Sequence, residues 1–164
     1  MSAGSKQGDF WERLGEEESS DADTALGPSA TGRAGQYLAA AEVELAGFPC
    51  SLAAEGLPYD LLADVDGRPA RIQVKATKRS SSYRPSERMP VCYVFTMPKQ
   101  PRVAGLMAAT DVFAFVALDQ RATLFIPSSK LRRIRNIKIR ATAFEERQLR
   151  ERSLVDALNE AFDE

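Results

Sequence analysis

No histidine occurs among the 164 residues. Ser-His-Asp and Cys-His nucleophilic sites, HNH-type nuclease chemistry and His-ligated zinc are excluded together by that one absence. The two cysteines, Cys50 and Cys92, are too few for a structural zinc site. The N-terminus lacks the apolar core of a signal peptide, so the chain is expected in the cytoplasm. There, two thiols are expected to stay reduced and pack in the core rather than form a bridge. With nitrogen and sulfur ligands this scarce, any bound metal must be hard and oxygen-ligated, which points to magnesium or manganese. No apolar run approaches the roughly 18 residues that a membrane span needs, so no membrane partner is expected.

What is present suffices for one domain. Hydrophobic residues make up 44% of the chain, enough for a single core at this length. The net charge of −1 hides a division. Residues 1–30 hold two basic and seven acidic side chains, whereas the remainder holds 20 basic and 16 acidic ones. The composition predicts a disordered acidic leader over 1–30, followed by a mildly basic domain over 31–164. Phe10 and Trp11 are the leader's one candidate docking anchor.

Periodicity predicts a helix over Gly32–Gly47, with Leu38, Ala41 and Leu45 on its buried stripe. A short strand over Phe48–Ala53 follows, then a hairpin with strands at 59–65 and 68–77. Residues 78–88 form a polar, basic loop. Strands are expected at Val91–Thr96, Asp111–Leu118 and Ala122–Ile126, with Cys92, Phe113 and Phe115 in the core. Pro127–Arg133 should be one helical turn, Ile134–Arg140 an edge strand and Glu145–Phe162 a closing helix. This order suggests an α/β fold, a mixed sheet with helices on its faces.

The hairpin carries the chemistry. Asp66-Gly67 between strand-like runs signals a type I′ turn, whose two central residues both need positive φ. That loop pairs Val65 with Arg68 and, further out, sets Asp60 opposite Gln73 with Cβ atoms about 5 Å apart. Lys75 lies two residues beyond Gln73 and projects from the same strand face. The other face is wholly apolar: Leu61, Ala63 and Val65 against Ala70, Ile72, Val74 and Ala76. A slip of one residue would bury the polar trio, so the register is strongly specified. Phosphodiester cleavage needs charge stabilised on phosphate oxygens, an activated water and help for the leaving oxygen, and a hard cation supplies the first two. Asp60, Gln73 and a main-chain carbonyl are oxygen donors for it, and Lys75 is a compact cation for water or phosphate.

The run GRAGQYLAAAEVELAGF, then PYD, then QVK resembles the PD-(D/E)XK nuclease superfamily, in the branch of intron-encoded homing endonucleases and Holliday-junction-resolvase-like proteins. The resemblance spans roughly 31–126. It implies a restriction-endonuclease-like fold, DNA as the partner, a homodimer or higher homo-oligomer, and hydrolysis by a metal-bound water. It also implies that Asp60, Gln73 and Lys75 are catalytic, with Asp60, Gln73 and the Val74 carbonyl holding Mg2+ or Mn2+. Gln73 departs from the usual Asp or Glu of the motif, as some active members do. Gln36 stands where many members carry a helix Glu, and Glu42 is a candidate substitute for it. Two basic stretches are candidates for the DNA backbone: Lys78, Arg79, Arg84 and Arg88 after the Lys75 strand, and Lys130, Arg132, Arg133, Arg135, Lys138 and Arg140. Each could equally be a solvated surface. The acid-poor site keeps a second reading open, a nuclease-fold module that binds DNA or a protein with little or no catalysis. A third is a partner-regulated nuclease whose acidic leader covers its basic face.

Overall fold

The computed structural model describes residues 27–80, 90–97, 108–131 and 136–162. The acidic stretch before residue 27, most of the 78–88 loop (Arg84 and Arg88 included), and Arg132, Arg133 and Arg135 lie outside them. In chain order the elements are α1 (Pro28–Leu45), β1 (Cys50–Leu52), β2 (Leu61–Val65), β3 (Arg68–Thr77), β4 (Cys92–Thr96), β5 (Val112–Ala117), β6 (Ala122–Pro127), a 3-10 turn (Ser128–Leu131), β7 (Asn136–Arg140), α2 (Ala141–Glu145) and α3 (Arg147–Phe162). No helix among the described residues is long and apolar enough to cross a membrane.

Five strands form a mixed sheet in the order β1-β2-β3-β5-β6. The β2–β3 hairpin has the expected register: Val65 faces Arg68, Ala63 faces Ala70 and Leu61 faces Ile72. Its turn takes positive φ at both central residues, 53° at Asp66 and 80° at Gly67, as a type I′ turn requires. The Asp64 carboxylate accepts a hydrogen bond from the Gly67 N–H at 2.7 Å and braces the turn. Strand β3 continues past the end of β2 and pairs in parallel with β5 from Ile72 to Thr77. β5, reading VFAFVA, is buried on both faces, which is why it lacks apolar-polar alternation.

The sheet separates two apolar layers. On one face Ile72, Val74, Val112 and Phe125 meet α1 and α3 through Ala39, Val43, Leu154 and Leu158. On the other, Phe113, Phe115 and Leu124 meet Tyr93, Phe95, Ile137 and Phe144. Phe95 packs edge-on against Phe115 with ring centroids 5.0 Å apart. Thus a two-stranded β4–β7 ribbon with the short α2 covers the second face, where sequence order suggested another helix layer. β7 is paired, through β4, and alternates as expected, with Ile137 inward and Lys138 and Arg140 exposed.

Two features of α1, its start and its buried face, differ from expectation for identifiable reasons, and one short helix is added. α1 starts at Pro28 rather than Gly32, because proline's fixed φ suits the first helical turn. The closing helix has its expected extent to within two residues, as α3, and is preceded by the short α2, set off by the extended backbone of Glu146 (φ −80°, ψ 98°). The buried stripe of α1 is Thr31, Gly35, Ala39 and Val43. Ala41 and Leu45, expected inside, face out, and Leu38 is only partly buried. Small residues win the inward face because α1 lies very close to β3. A Cβ on Gly35 would sit 2.4 Å from the Ala76 Cβ.

That contact can be tested. Alanine has a helix propensity about 1 kcal/mol better than glycine, but overpacking against a rigid backbone typically costs about 1–3 kcal/mol. Gly35→Ala should therefore lower the urea midpoint despite the better helix former. An unchanged or raised midpoint would mean that α1 does not press on Ala76.

Candidate active site

The site forms because β3 outruns β2. The last paired residue of β2 is Leu61, opposite Ile72, and the Asp60 N–H still donates to the Ile72 carbonyl at 2.9 Å. Alternate residues of a strand direct their main-chain polar groups to the same side, so Val74 turns its N–H and C=O toward the space β2 has vacated. The Asp60 carboxylate fills it and accepts the Val74 N–H at 2.7 Å on Oδ2. The Gln73 amide donates to that same oxygen. From the helix layer, Gln36 Nε2 donates to Asp60 Oδ1 at 2.8 Å. The close seating of α1 over Gly35 gives Gln36 this reach.

Three oxygen-bearing groups therefore meet at one point. Gln73 Nε2 lies against Asp60 Oδ2 and 3.4 Å from the Val74 carbonyl oxygen. Its partial positive charge lies beside the Asp60 and Val74 oxygens, two of the groups that would hold a hard cation. Turning the amide about its last bond exchanges Nε2 for Oε1 and completes an all-oxygen donor set, the kind magnesium or manganese takes. The residues present fit such an ion. They offer one carboxylate only, and no cluster of three or more His, Cys, Asp or Glu side chains occurs among the described residues.

Lys75 lies on the same face of β3 as Gln73, in register with Phe115 of β5. Burial pulls its ammonium below the ordinary lysine range, and the Asp60 carboxylate partly opposes that shift. It makes no hydrogen bond or ion pair with any described residue. A partly buried cation without a fixed partner is suited to an incoming anion. Lys78 and Arg79 follow directly from β3, half-buried and exposed respectively.

Glu42 does not compensate for the missing helix carboxylate. It lies toward the other end of α1 and pairs with Arg150 of α3 at 3.5 Å. Burial raises its pKa, with Arg150 and Thr123 pulling the other way. Lys130, counted among the candidate DNA cations, is held by Glu160 at 2.5 Å. Two polar links that no local pattern announced also brace the sheet. Arg71 grips Asp111 at the start of β5 through both carboxylate oxygens, at 2.7 and 3.0 Å. The Tyr93 hydroxyl donates to Asp119 at 2.9 Å, which, after burial, helps push its pKa to about 12.

The structural role of Asp60 separates from its charge by substitution. In Asp60→Asn the side-chain oxygen can still accept the Val74 N–H while the glutamine amides turn, so stability should change by less than about 1 kcal/mol. Asp60→Leu leaves that N–H without its acceptor and should cost about 1–3 kcal/mol. It should also speed hydrogen exchange at the Val74 amide. Equal stability of the two variants would contradict this geometry.

No protein-family model matches the sequence, and no curated protein matches it. Solved structures do. The bacterial homing endonuclease I-Ssp6803I aligns over 81% of this chain and 93% of its own length, with 18% identity and a TM-score of 0.58. Archaeoglobus fulgidus Hjc, a Holliday junction resolvase from an archaeal hyperthermophile, aligns over 70% of this chain and 87% of its own, with 18% identity and a TM-score of 0.44. The mixed sheet, the overhanging β3 and the similarity to I-Ssp6803I together identify a restriction-endonuclease-like fold.

Proposed function

We propose that the chain is a DNA endonuclease dependent on a divalent metal, with its catalytic site at Asp60, Gln73 and Lys75. The observation that carries this reading is the meeting of the Asp60 carboxylate, the Gln73 amide and the Val74 carbonyl beside Lys75, whose ammonium no described residue holds in a hydrogen bond or ion pair. A fold similar to that of a homing endonuclease supports DNA as the substrate. Asp60, Gln73 Oε1 and the Val74 carbonyl would hold Mg2+ or Mn2+. That ion, when bound, supplies Lewis acidity for phosphate charge and acidifies a water molecule.

The chain's own groups do the rest. Gln36 and the Val74 N–H hold the Asp60 carboxylate in one orientation. Lys75 donates hydrogen bonds to the scissile phosphate or to the attacking water, and its partial burial strengthens that interaction. Lys78 and Arg79 continue from the same strand toward the DNA backbone, with Arg84 next in the chain and Arg132 and Arg133 as the second set of phosphate contacts.

One observation favours a second reading. Both Gln36 and Gln73 are amides where carboxylates would bind a metal more tightly, so a DNA- or protein-binding module with little catalysis is the alternative. Plasmid, single-stranded and four-way-junction DNA, each assayed with Mg2+ and Mn2+, distinguish the two. Lys75→Ala and Asp60→Asn are expected to lose cleavage by on the order of 100-fold or more while still binding DNA. Cutting by Lys75→Ala at the wild-type rate would overturn the site. A wild-type chain that binds no divalent ion and cuts none of the three substrates would establish the binding module.

A further inference from the structure

The β4–β7 ribbon packs on the sheet through Tyr93, Phe95 and Ile137. Strand alternation then gives its outer face as Cys92, Val94 and Thr96 set against Arg140, Lys138 and Asn136. Thr96, Asn136, Lys138 and Arg140 are exposed, and Val94 is half-buried. The chain carries 23 acidic residues against 22 basic ones, yet this face has two cations and no acid. Neither Lys138 nor Arg140 makes an ion pair with a described residue, whereas Arg71, Lys130 and Arg150 are each held by a carboxylate. Guarding an edge against strand pairing would account for the charge but is indifferent to where the ribbon sits. The ribbon sits beside the candidate active site. Tyr93, adjacent to the Cys92–Arg140 pair, donates to Asp119 at 2.9 Å, and the Asp119 N–H donates to the Lys78 carbonyl at 3.2 Å. The Arg140 end is thereby anchored next to the residues that follow Lys75.

We propose that this face enters the major groove of duplex DNA and reads its sequence, with Asn136 and Lys138 at base edges and Arg140 on the backbone beside Lys78. A two-stranded ribbon has the width that groove admits, since its strands lie about 4.8 Å apart and the groove is about 12 Å wide. Its five residue pairs run about 14 Å, the length of roughly four base pairs. The side chains are those of base readout. Asparagine matches the two groups that adenine shows in the major groove, lysine the two acceptors of guanine, and an apolar group such as Val94 the thymine methyl. Single-stranded nucleic acid would ask instead for exposed aromatic rings, and the ribbon's aromatics, Tyr93 and Phe95, are buried. The inference rests on the Asp60 site being a DNA-cleaving one, and it narrows the substrate to a sequence rather than a shape.

Selection of bound duplexes from a random-sequence library tests it, with Ca2+ in place of Mg2+ to hold back cutting. The wild type should enrich one short sequence. Asn136→Ala and Lys138→Ala should each relax the preference at different positions and bind the enriched duplex on the order of tenfold less tightly. Asn136→Ala removes no charge, so its binding to unrelated duplex and its salt dependence should stay at the wild-type level. Arg140→Ala should weaken binding to every duplex alike and make the salt slope shallower by about one unit. All three side chains lie outside the core, so circular dichroism and melting temperature should not change. A wild type that binds no duplex, or binds it without enriching any sequence, would overturn the proposal. So would Asn136→Ala and Lys138→Ala variants that both enrich the wild-type sequence at full affinity. Cleavage of the enriched duplex with Mg2+ is read separately: its absence, with the enrichment intact, would sink the catalytic site and leave the ribbon standing.

Discussion

Where β2 ends, β3 goes on, and the polar groups of Val74 are left without a strand to pair with. A main-chain N–H withdrawn from water with no acceptor is costly. Asp60, the residue just before β2, supplies that acceptor. The same carboxylate is thereby fixed beside the Val74 carbonyl and the Gln73 amide. One stretch of strand, left without a neighbour on its β2 side only, thus both anchors the hairpin end and gathers the candidate ligands. Because the next inward residue, Ala76, packs under Gly35, the helix comes close enough for Gln36 to hold the other carboxylate oxygen.

The sheet keeps the apolar and chemical jobs of β3 apart. Val74 and its even-numbered neighbours face the α1–α3 layer, while Arg71, Gln73 and Lys75 belong to the face that the β4–β7 ribbon shares. Arg71 is tied down by Asp111. Lys75 is not tied down by any described residue, and partial burial makes its charge harder to screen. The contrast between two cations four residues apart on one strand distinguishes a structural charge from an available one.

Much of this was legible in the letters, because turn chemistry and strand period are local. Asp66-Gly67 sets the register, and the register places Asp60 opposite Gln73 with Lys75 on the same face. The helix was harder. Its outward ridge contains larger apolar residues than its inward stripe, so hydrophobicity pointed to Leu45 as core, whereas close packing on Ala76 demanded Gly35, Ala39 and Val43. The pairing of β4 with β7 joins segments some forty residues apart, and no local pattern announces it. Glu42 looked available for the site because sequence spacing cannot reveal Arg150, which lies more than a hundred residues later and takes it up. The extended backbone at Glu146, which sets the short α2 off from the closing helix, has no proline or glycine to mark it.

The central claim is that Asp60, Gln73 and Val74 converge on one divalent ion. Metal-directed cleavage of the polypeptide tests it most directly. Fe2+ is substituted for Mg2+, ascorbate and peroxide are added, and the sites of backbone scission are mapped. The account predicts two cuts, one beside Asp60 and one within 73–75, both suppressed by excess Mg2+ and both lost in Asp60→Asn. Scission elsewhere, or none at these positions in a chain that still cleaves DNA with a divalent metal, would contradict it.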